Sequence, residues 1–413
     1  MIQNKKAVLY LMSGAIVLGY LPWYNFSAVL PIMERDIGLT GFQVGNILGA
    51  FQAGYVLMVI ISGWLADRVG ARRVVLAGTL GVAACSTAFA FLASDFSSIL
   101  ILRTLTGIFA GAIYAPGMAL LSKWFPSRER GFAIGVYSGA LVLAYAGSYF
   151  IAGPIAASSG WQAGILWTSL PSLPGAALIM FVPENPHDLS IINIETREGL
   201  EERVLNTPSL LVTGAYMGHM WELYAFWGWV GPAMVAAAMA AGSGGAEAAR
   251  LGSQMASLLI MMGAPAPWIV GALSDRIGRS TAAGLCLLAS GLASLLFGWF
   301  IGGSLLPVIL LGLWYGFWAV ADTATYKAGL TDMVNTRIRG TSLGFQSALG
   351  FGITIISPQI FGAVLDVTNK GSQNITVWGP AFAVLAAGPI IGLILLVVLR
   401  RHPKAILMAG GKK

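Results

Sequence analysis

The sequence predicts an all-α integral membrane fold, with twelve transmembrane helices arranged as two pseudo-symmetric six-helix bundles. Three observations predict it: a composition of 57% hydrophobic and only 10% charged residues, a train of long stretches free of charge, and two signatures that each occur twice at a constant offset. A soluble domain carries roughly 25% charged residues. A deficit this deep across 413 residues puts most of the surface against lipid.

A spanning helix needs about 20 mostly apolar residues. Stretches without Asp, Glu, Lys or Arg cover 7–33, 37–66, 74–94, 104–122, 131–183, 251–274, 280–321, 340–365 and 371–399, and 204–246 is interrupted only by Glu222. The stretch 131–183 holds two helices with a break between Gly153-Pro154 and Gly160, and 280–321 begins two, parting near Gly302-Gly303. The total is twelve. The first run is too long for a signal-peptide core and lacks a small-residue cleavage site, so it is expected to remain a span. With the N-terminus inside, every lysine and arginine except Arg35, Arg103, Arg250 and Lys370 falls on the cytoplasmic side, as the positive-inside rule requires. This expects a multi-pass protein of the plasma membrane, the inner membrane of a bacterium, with both termini cytoplasmic. The net charge of +7 is distributed loop by loop, which argues against a nucleic-acid partner. Cys85 and Cys286 sit in apolar runs and read as small buried hydrophobes rather than a disulfide framework or metal ligands.

The domain boundaries follow: 1–183 as the first bundle, 184–207 as a cytoplasmic linker made acidic by Glu184, Asp188, Glu195, Glu198, Glu201 and Glu202, 208–399 as the second bundle and 400–413 as a cytoplasmic tail. Gly63-Trp-Leu-Ala-Asp67-Arg68-Val-Gly70 follows span 2, and Gly271-Ala-Leu-Ser-Asp275-Arg276-Ile-Gly278 follows span 8. Arg128-Glu-Arg130-Gly131 opens span 5, and Arg337-Ile-Arg339-Gly340 opens span 11 at nearly the same offset. Two signatures in register mean a duplicated six-helix unit, as in many secondary transporters. Asp67 and Asp275 are placed to accept from helix N-termini or to pair with arginines, while Arg68, Arg72 and Arg276 anchor the inner leaflet. A latch of this kind, joined by Arg103 and Arg130, holds one face closed and releases when the halves rock.

These loops resemble the signature of the major facilitator superfamily, with GALSDRIGR as the second-half copy of GWLADRVGARR. The segment Arg103-Thr-Leu-Thr-Gly107-Ile-Phe-Ala-Gly111, ending in Trp124-Phe-Pro-Ser-Arg-Glu-Arg130-Gly131, is similar to the family's span 4 pattern. The resemblance covers essentially the whole chain. It implies alternating access, with spans 1, 4, 7 and 10 lining a central cavity, spans 2, 5, 8 and 11 assisting, and spans 3, 6, 9 and 12 facing lipid. Family drug/proton antiporters carry a glycine-rich signature on span 5; here Gly139, Gly147 and Gly153-Pro154 are spaced differently, which weighs against drug efflux.

An ionisable group at the bilayer centre costs about 2.5–3.5 kcal/mol on insertion scales, so each one needs a reason. His219 and Glu222 lie near the midplane of span 7 at i and i+3, neighbours on one helix face and expected to share a hydrogen bond. The pair reads either as a site that takes up a coupling proton or as a permanently bonded structural pair. Asp322 on span 10 continues a stripe from Trp314 and Trp318 at i+4 spacing, with Lys327 as a candidate partner. Proton coupling is therefore assigned to Glu222, His219 and Asp322.

Aromatic residues crowd the spans expected to line the cavity. Tyr20, Trp23, Tyr24, Tyr114, Tyr216, Trp221, Tyr224, Trp314, Tyr315 and Trp318, with Gln346, are the candidate substrate contacts; some of the rings belong instead to the interfacial belt. Asn25, Asn46, Gln52 and Gln254 add hydrogen-bonding capacity. Spans 1, 2, 5, 7, 8 and 11 contain no Arg or Lys, and Arg103 and Lys327 lie toward span ends, so a neutral, zwitterionic or cationic solute is expected over an anion. No phosphate-loop pattern occurs, and the three histidines assemble neither a nucleophile–base set nor a metal site. The expectation is a monomeric secondary carrier, not an enzyme, without cofactor or metal, moving a small organic solute by alternating access with protons or another ion. Its alternatives are a drug or metabolite efflux antiporter and a small organic anion or nitrate-type carrier.

Overall fold

The computed structural model describes residues 4–125, 127–184, 203–335, 338–370 and 375–412, which form helices joined by short turns. Among the described residues twelve helices are long and apolar enough to cross a membrane: Lys5–Glu34, Gly41–Val69, Ala71–Leu92, Phe96–Trp124, Phe132–Ser159, Trp161–Met180, Thr207–Ala240, Gly245–Ile277, Arg279–Phe300, Leu305–Met333, Arg339–Thr368 and Gly379–Arg401. They are spans 1 to 12 below. Most of the acidic connection between spans 6 and 7 lies outside the described residues.

Local chemistry sets the ends. Thr40 and Gln43 close a capping box at the start of span 2, and the Asn206 side chain accepts the Ser209 amide at the start of span 7. Asp95 caps span 4 by accepting the Ser98 amide at 2.7 Å, and that bond holds its carboxyl below the usual carboxylate range. The two copies of the repeated loop turn alike: Gly70 and Gly278 have φ of 95° and 100°, a region open to glycine at no steric cost. The expected break between spans 5 and 6 falls at Gly160 alone. Pro154 stays inside one continuous helix, Ser127–Ser159, because the surrounding spans hold its shape in place of the lost backbone bond.

Among the described residues seven spans are interrupted: spans 6, 8 and 12, at Leu170–Pro171, Met262–Pro265 and Val384–Ala386, and spans 1, 4, 10 and 11, whose breaks position the site. Span 1 passes through a 3-10 turn at Leu21–Trp23, span 4 breaks at Ala112–Ile113, span 10 breaks at Asp322, and span 11 breaks between Ile353 and Ser357. Span 7 is unbroken and is the most enclosed: 78% of its apolar window is buried, against 39% for spans 8 and 11. It is the axis of the molecule.

Among the described residues the halves meet at one end only. On the face that carries Gly38, span 2 lies against span 11. A Cβ on Gly45 or Gly49 would be driven into the carbonyls of Pro358 or Ile355, and one on Gly362 into that of Gly41. Asp366 completes this seam by accepting the Gly41 amide at 2.7 Å and the Phe42 amide at 2.8 Å. Span 5 meets span 8 at the same level, Gly153 against Ser253. On the opposite face, which carries Asp67, a Cβ at Gly63, Gly135, Gly139, Gly340 or Gly344 would meet nothing within 4 Å, and Phe132 is 70% exposed. The molecule is closed at the Gly38 face and parted at the Asp67 face.

The end of the chain is packed rather than trailing. Residues Pro403–Gly411 form a 3-10 segment whose Ala405 and Met408 are buried. The Ala409 amide donates to Asp332 at 3.1 Å, and Lys412 Nζ donates to the Asp275 carbonyl at 3.0 Å.

Candidate functional site

Unwinding span 1 at Leu21–Trp23 frees backbone carbonyls in the middle of the membrane, and a buried cation takes them. The Arg103 guanidinium donates to Pro22 O at 2.9 Å, Trp23 O at 2.7 Å and Asn25 Oδ1 at 3.3 Å. It also lies 4.4 Å from the Phe51 ring centroid, a cation–π distance. Its acceptors are all uncharged, and its Nε has no partner. Ser148 of span 5 fixes the unwound turn by donating to Leu21 O and accepting the Tyr24 amide. Arg103, Trp23, Tyr24, Phe51, Gln52 and Tyr224 line a narrow crevice here.

The rings around it form one continuous cluster. Tyr145 stands 5.0 Å from Trp23, 5.1 Å from Tyr24 and 5.2 Å from Trp227. Trp23 Nε1, Tyr24 Oη, Tyr145 Oη, Trp227 Nε1 and Gln52 Oε1 are buried without a hydrogen-bond partner. A buried polar group left unpaired costs about 1–3 kcal/mol. Such a group calls for an explanation, and donors outnumber acceptors at this place.

The second cluster lies on the other half, where span 10 breaks. His219 Nδ1 is 2.8 Å from Asp322 Oδ1, both groups 1% exposed. His219 Nε2 is 3.1 Å from Thr323 Oγ1, and Tyr326 Oη donates to Asp322 Oδ2 at 2.7 Å. Tyr216 stacks on the imidazole at 5.9 Å. Glu222 points elsewhere: its Oε2 accepts from Ser290 of span 9 at 2.7 Å, and its Oε1 is buried without a partner.

The sequence model of the Major Facilitator Superfamily matches residues 12–243. The chain belongs to the major facilitator superfamily. It is 26% identical to a probable sulfoacetate transporter, SauU, of Cupriavidus necator over 95% of this chain and 94% of that protein. It is 26% identical to a hexuronate transporter of Bacillus subtilis over 94% of this chain and 96% of that protein. In fold it is similar to a bacterial homologue of the human lysosomal transporter Spinster in an inward-facing and occupied conformation, with a TM-score of 0.72 at 16% identity over 97% and 96% of the two chains. As a member of the superfamily, the chain is a multi-pass membrane transporter of small solutes and not an enzyme.

Within that superfamily fold, the expected residues fall into three groups. Trp23, Tyr24 and Tyr224 line the Arg103 crevice, Tyr20 backs it with its hydroxyl on Ala110 O, and Tyr216 belongs to the His219 cluster. Gln346 is fully buried with neither amide atom paired. Tyr114 bonds Ser138 at 2.7 Å, between spans 4 and 5. Four aromatic residues depart from the expected cavity lining. Trp314 is 50% exposed, with Nε1 on Ala289 O of span 9, and Trp318 is half-buried beside it at 5.5 Å. Trp221 turns to span 12, where Nε1 reaches Val384 O at 3.4 Å. Tyr315 is buried against Phe226 and Phe297 behind the cavity.

The expected bond between His219 and Glu222 is absent, since three residues turn a helix by about 300° and the two side chains reach spans 10 and 9 respectively. Asp322 pairs with His219 and Tyr326 rather than Lys327. Arg103, about two turns into span 4, is buried on the carbonyls of Pro22 and Trp23, because span 1 unwinds to meet it. In the repeated loops, Asp67 and Arg68 are exposed, with Arg68 over Trp64 at 4.2 Å. Arg72 turns to Val182 O and Glu184 within its own half. Asp275 pairs with Arg279 at 2.6 Å, and Arg276 is exposed. The Arg130 side chain lies outside the described residues. Sequence reasoning passed over Tyr145, Trp227, Ser290, Thr323 and Asp366. Tyr145 and Tyr149, one turn apart on span 5, were a readable signal, and the Tyr149 hydroxyl reaches Trp227 O at 2.6 Å.

Proposed function

We propose that the chain carries a small organic anion together with a proton, by alternating access, as a monomer in a bacterial inner membrane with its Asp67 face cytoplasmic. One observation carries this reading: a buried guanidinium with only neutral acceptors stands among indole and phenol donors that make no well-formed hydrogen bond, the nearest acceptors of Trp23 and Tyr145 being the neighbouring phenols Tyr24 and Tyr224. An oxyanion entering the crevice would take Arg103 Nε and the donors of Trp23, Tyr24, Tyr145 and Trp227, removing several desolvation penalties at once. The anion expectation thus replaces the neutral or cationic one, which rested on Arg103 lying at a span end. The relatives agree in chemistry, since sulfoacetate and hexuronates both carry a carboxylate.

His219 and Asp322 hold the coupling proton in this reading, with Glu222 as a second acid behind them. Proton uptake there and anion uptake at Arg103 together neutralise two buried sites, which favours their moving as a pair. Asp67 and Asp275, with Arg68, Arg72 and Arg276, latch the cytoplasmic face when it closes.

The test is uptake of radiolabelled sulfoacetate and glucuronate into proteoliposomes with an imposed pH gradient. Arg103→Gln is expected to reduce uptake of a transported anion by about 100-fold or more, the scale for breaking a buried charged contact. Wild-type uptake by this variant, or inhibition of wild-type uptake by organic cations as strong as by anions, overturns the proposal.

A further inference from the structure

We infer that Thr323 fixes the tautomer of His219, so that Nε2 carries a permanent hydrogen and the contact between Nδ1 and Asp322 is where the transported proton is taken up. The inference rests on the proton-coupled reading above and deepens it. A threonine hydroxyl has one hydrogen to give and lone pairs to accept with. Thr323 Oγ1 donates that hydrogen to Val320 O at 2.8 Å, three residues back across the break at Asp322. Toward His219 Nε2, 3.1 Å away, it is left as an acceptor, so Nε2 must be the donor.

The other nitrogen then has no hydrogen of its own in the neutral ring. Its lone pair would stand 2.8 Å from a buried carboxylate oxygen that has no hydrogen-bond partner, a repulsive contact at that distance. One added proton resolves it by forming an Nδ1–H that is shared with Asp322 Oδ1. When that proton leaves to water, the lone pair and the carboxylate repel and the pair must separate. With the opposite tautomer, the unprotonated pair would already be satisfied, and an added proton would go to Nε2, away from Asp322. Thr323 is a positioning residue that makes the proton and the geometry of span 10 interdependent. The titratable groups around the ring are Asp322 and Tyr326 on span 10 and Tyr216 on the ring's own span. Glu222 and Cys286 interact electrostatically with Asp322 from spans 7 and 9.

Two readouts test this. In purified protein labelled with 15N-histidine, the three histidines are assigned with His219→Gln, and the nitrogen shifts report which ring nitrogen holds hydrogen. The expected result is a hydrogen on Nε2 at every pH, with Nδ1 gaining its hydrogen as pH falls. A neutral ring with hydrogen on Nδ1 and a bare Nε2 overturns the inference whatever transport does. In proteoliposomes, Thr323→Val removes the acceptor, disfavours the doubly protonated ring and frees the other tautomer. Both effects move the pH of half-maximal accumulation downward, by about one unit for one lost charge-assisted bond. Thr323→Ser is expected to restore the wild-type profile, and the solute KM is expected to be unchanged in both variants. A Val variant with the wild-type pH profile overturns the inference. Wild-type transport that ignores pH would instead sink the coupling reading, and the nitrogen shifts would still decide the tautomer.

Discussion

The two halves share a scaffold and differ in charge. Spans 4 and 10 break at matching places, Ala112–Ile113 and Asp322. In the first half the break is lined by small and aliphatic residues, and the ionised group is Arg103, held by neutral carbonyls two turns away. In the second half the break itself carries the acid, backed by His219 and Tyr326. Duplication supplies a break to each half, and divergence assigns the buried cation to one and the buried acid with its imidazole to the other. The difference teaches that solute and proton need not compete for one site. On the proposed reading they are coupled because each neutralises the half it occupies.

Asp322→Asn should break the comparison most severely. Accumulation against a gradient is expected to fall by about 100-fold or more, the scale for stranding one member of a buried pair, while anion exchange at equal pH persists. Arg103→Gln should lose both activities. If Asp322→Asn also abolished exchange, the division of labour between halves would be wrong. Glu222→Gln should do less. Its amide oxygen still accepts from Ser290, so accumulation is expected to survive, and the melting transition should report about 1–3 kcal/mol of lost stability from the altered buried group. Complete loss of accumulation would move the coupling proton to Glu222. Asp67→Ala should do least, slowing turnover by about two-fold, as befits an exposed charge, with binding unchanged in equilibrium titration. Turnover at the wild-type rate would remove Asp67 from the latch.

Much of this architecture was legible in the sequence, for a physical reason. Span number depends on hydropathy along the chain, and the repeated loops depend on short patterns such as Gly70 and Gly278; neither requires knowing what a residue touches. Depth and direction do require it. Arg103 was placed near a span end because nothing in Leu21-Pro22-Trp23 announces that the turn will deliver carbonyls to it. The stripe from Trp314 through Trp318 to Asp322 assumed one continuous helix, and the break at Asp322 turns the acid inward while Trp314 stays outside. His219 and Glu222 were expected to share a bond because a helical face was treated as a single direction, whereas two neighbouring spans divide it.

The cap that Asp366 places on span 2 has a consequence for the energetics of cycling. Two amides at a helix start are satisfied by a carboxylate of the opposite half, and water can satisfy all three groups once they separate. Undocking of this cap therefore strands none of its three polar groups and adds little to the barrier at this end of the molecule. The glycine seam beneath it is close-fitting, backbone against backbone, which makes re-closure self-guiding. A carrier built this way lets its cargo, rather than the rim at the Gly38 face, decide which way it faces.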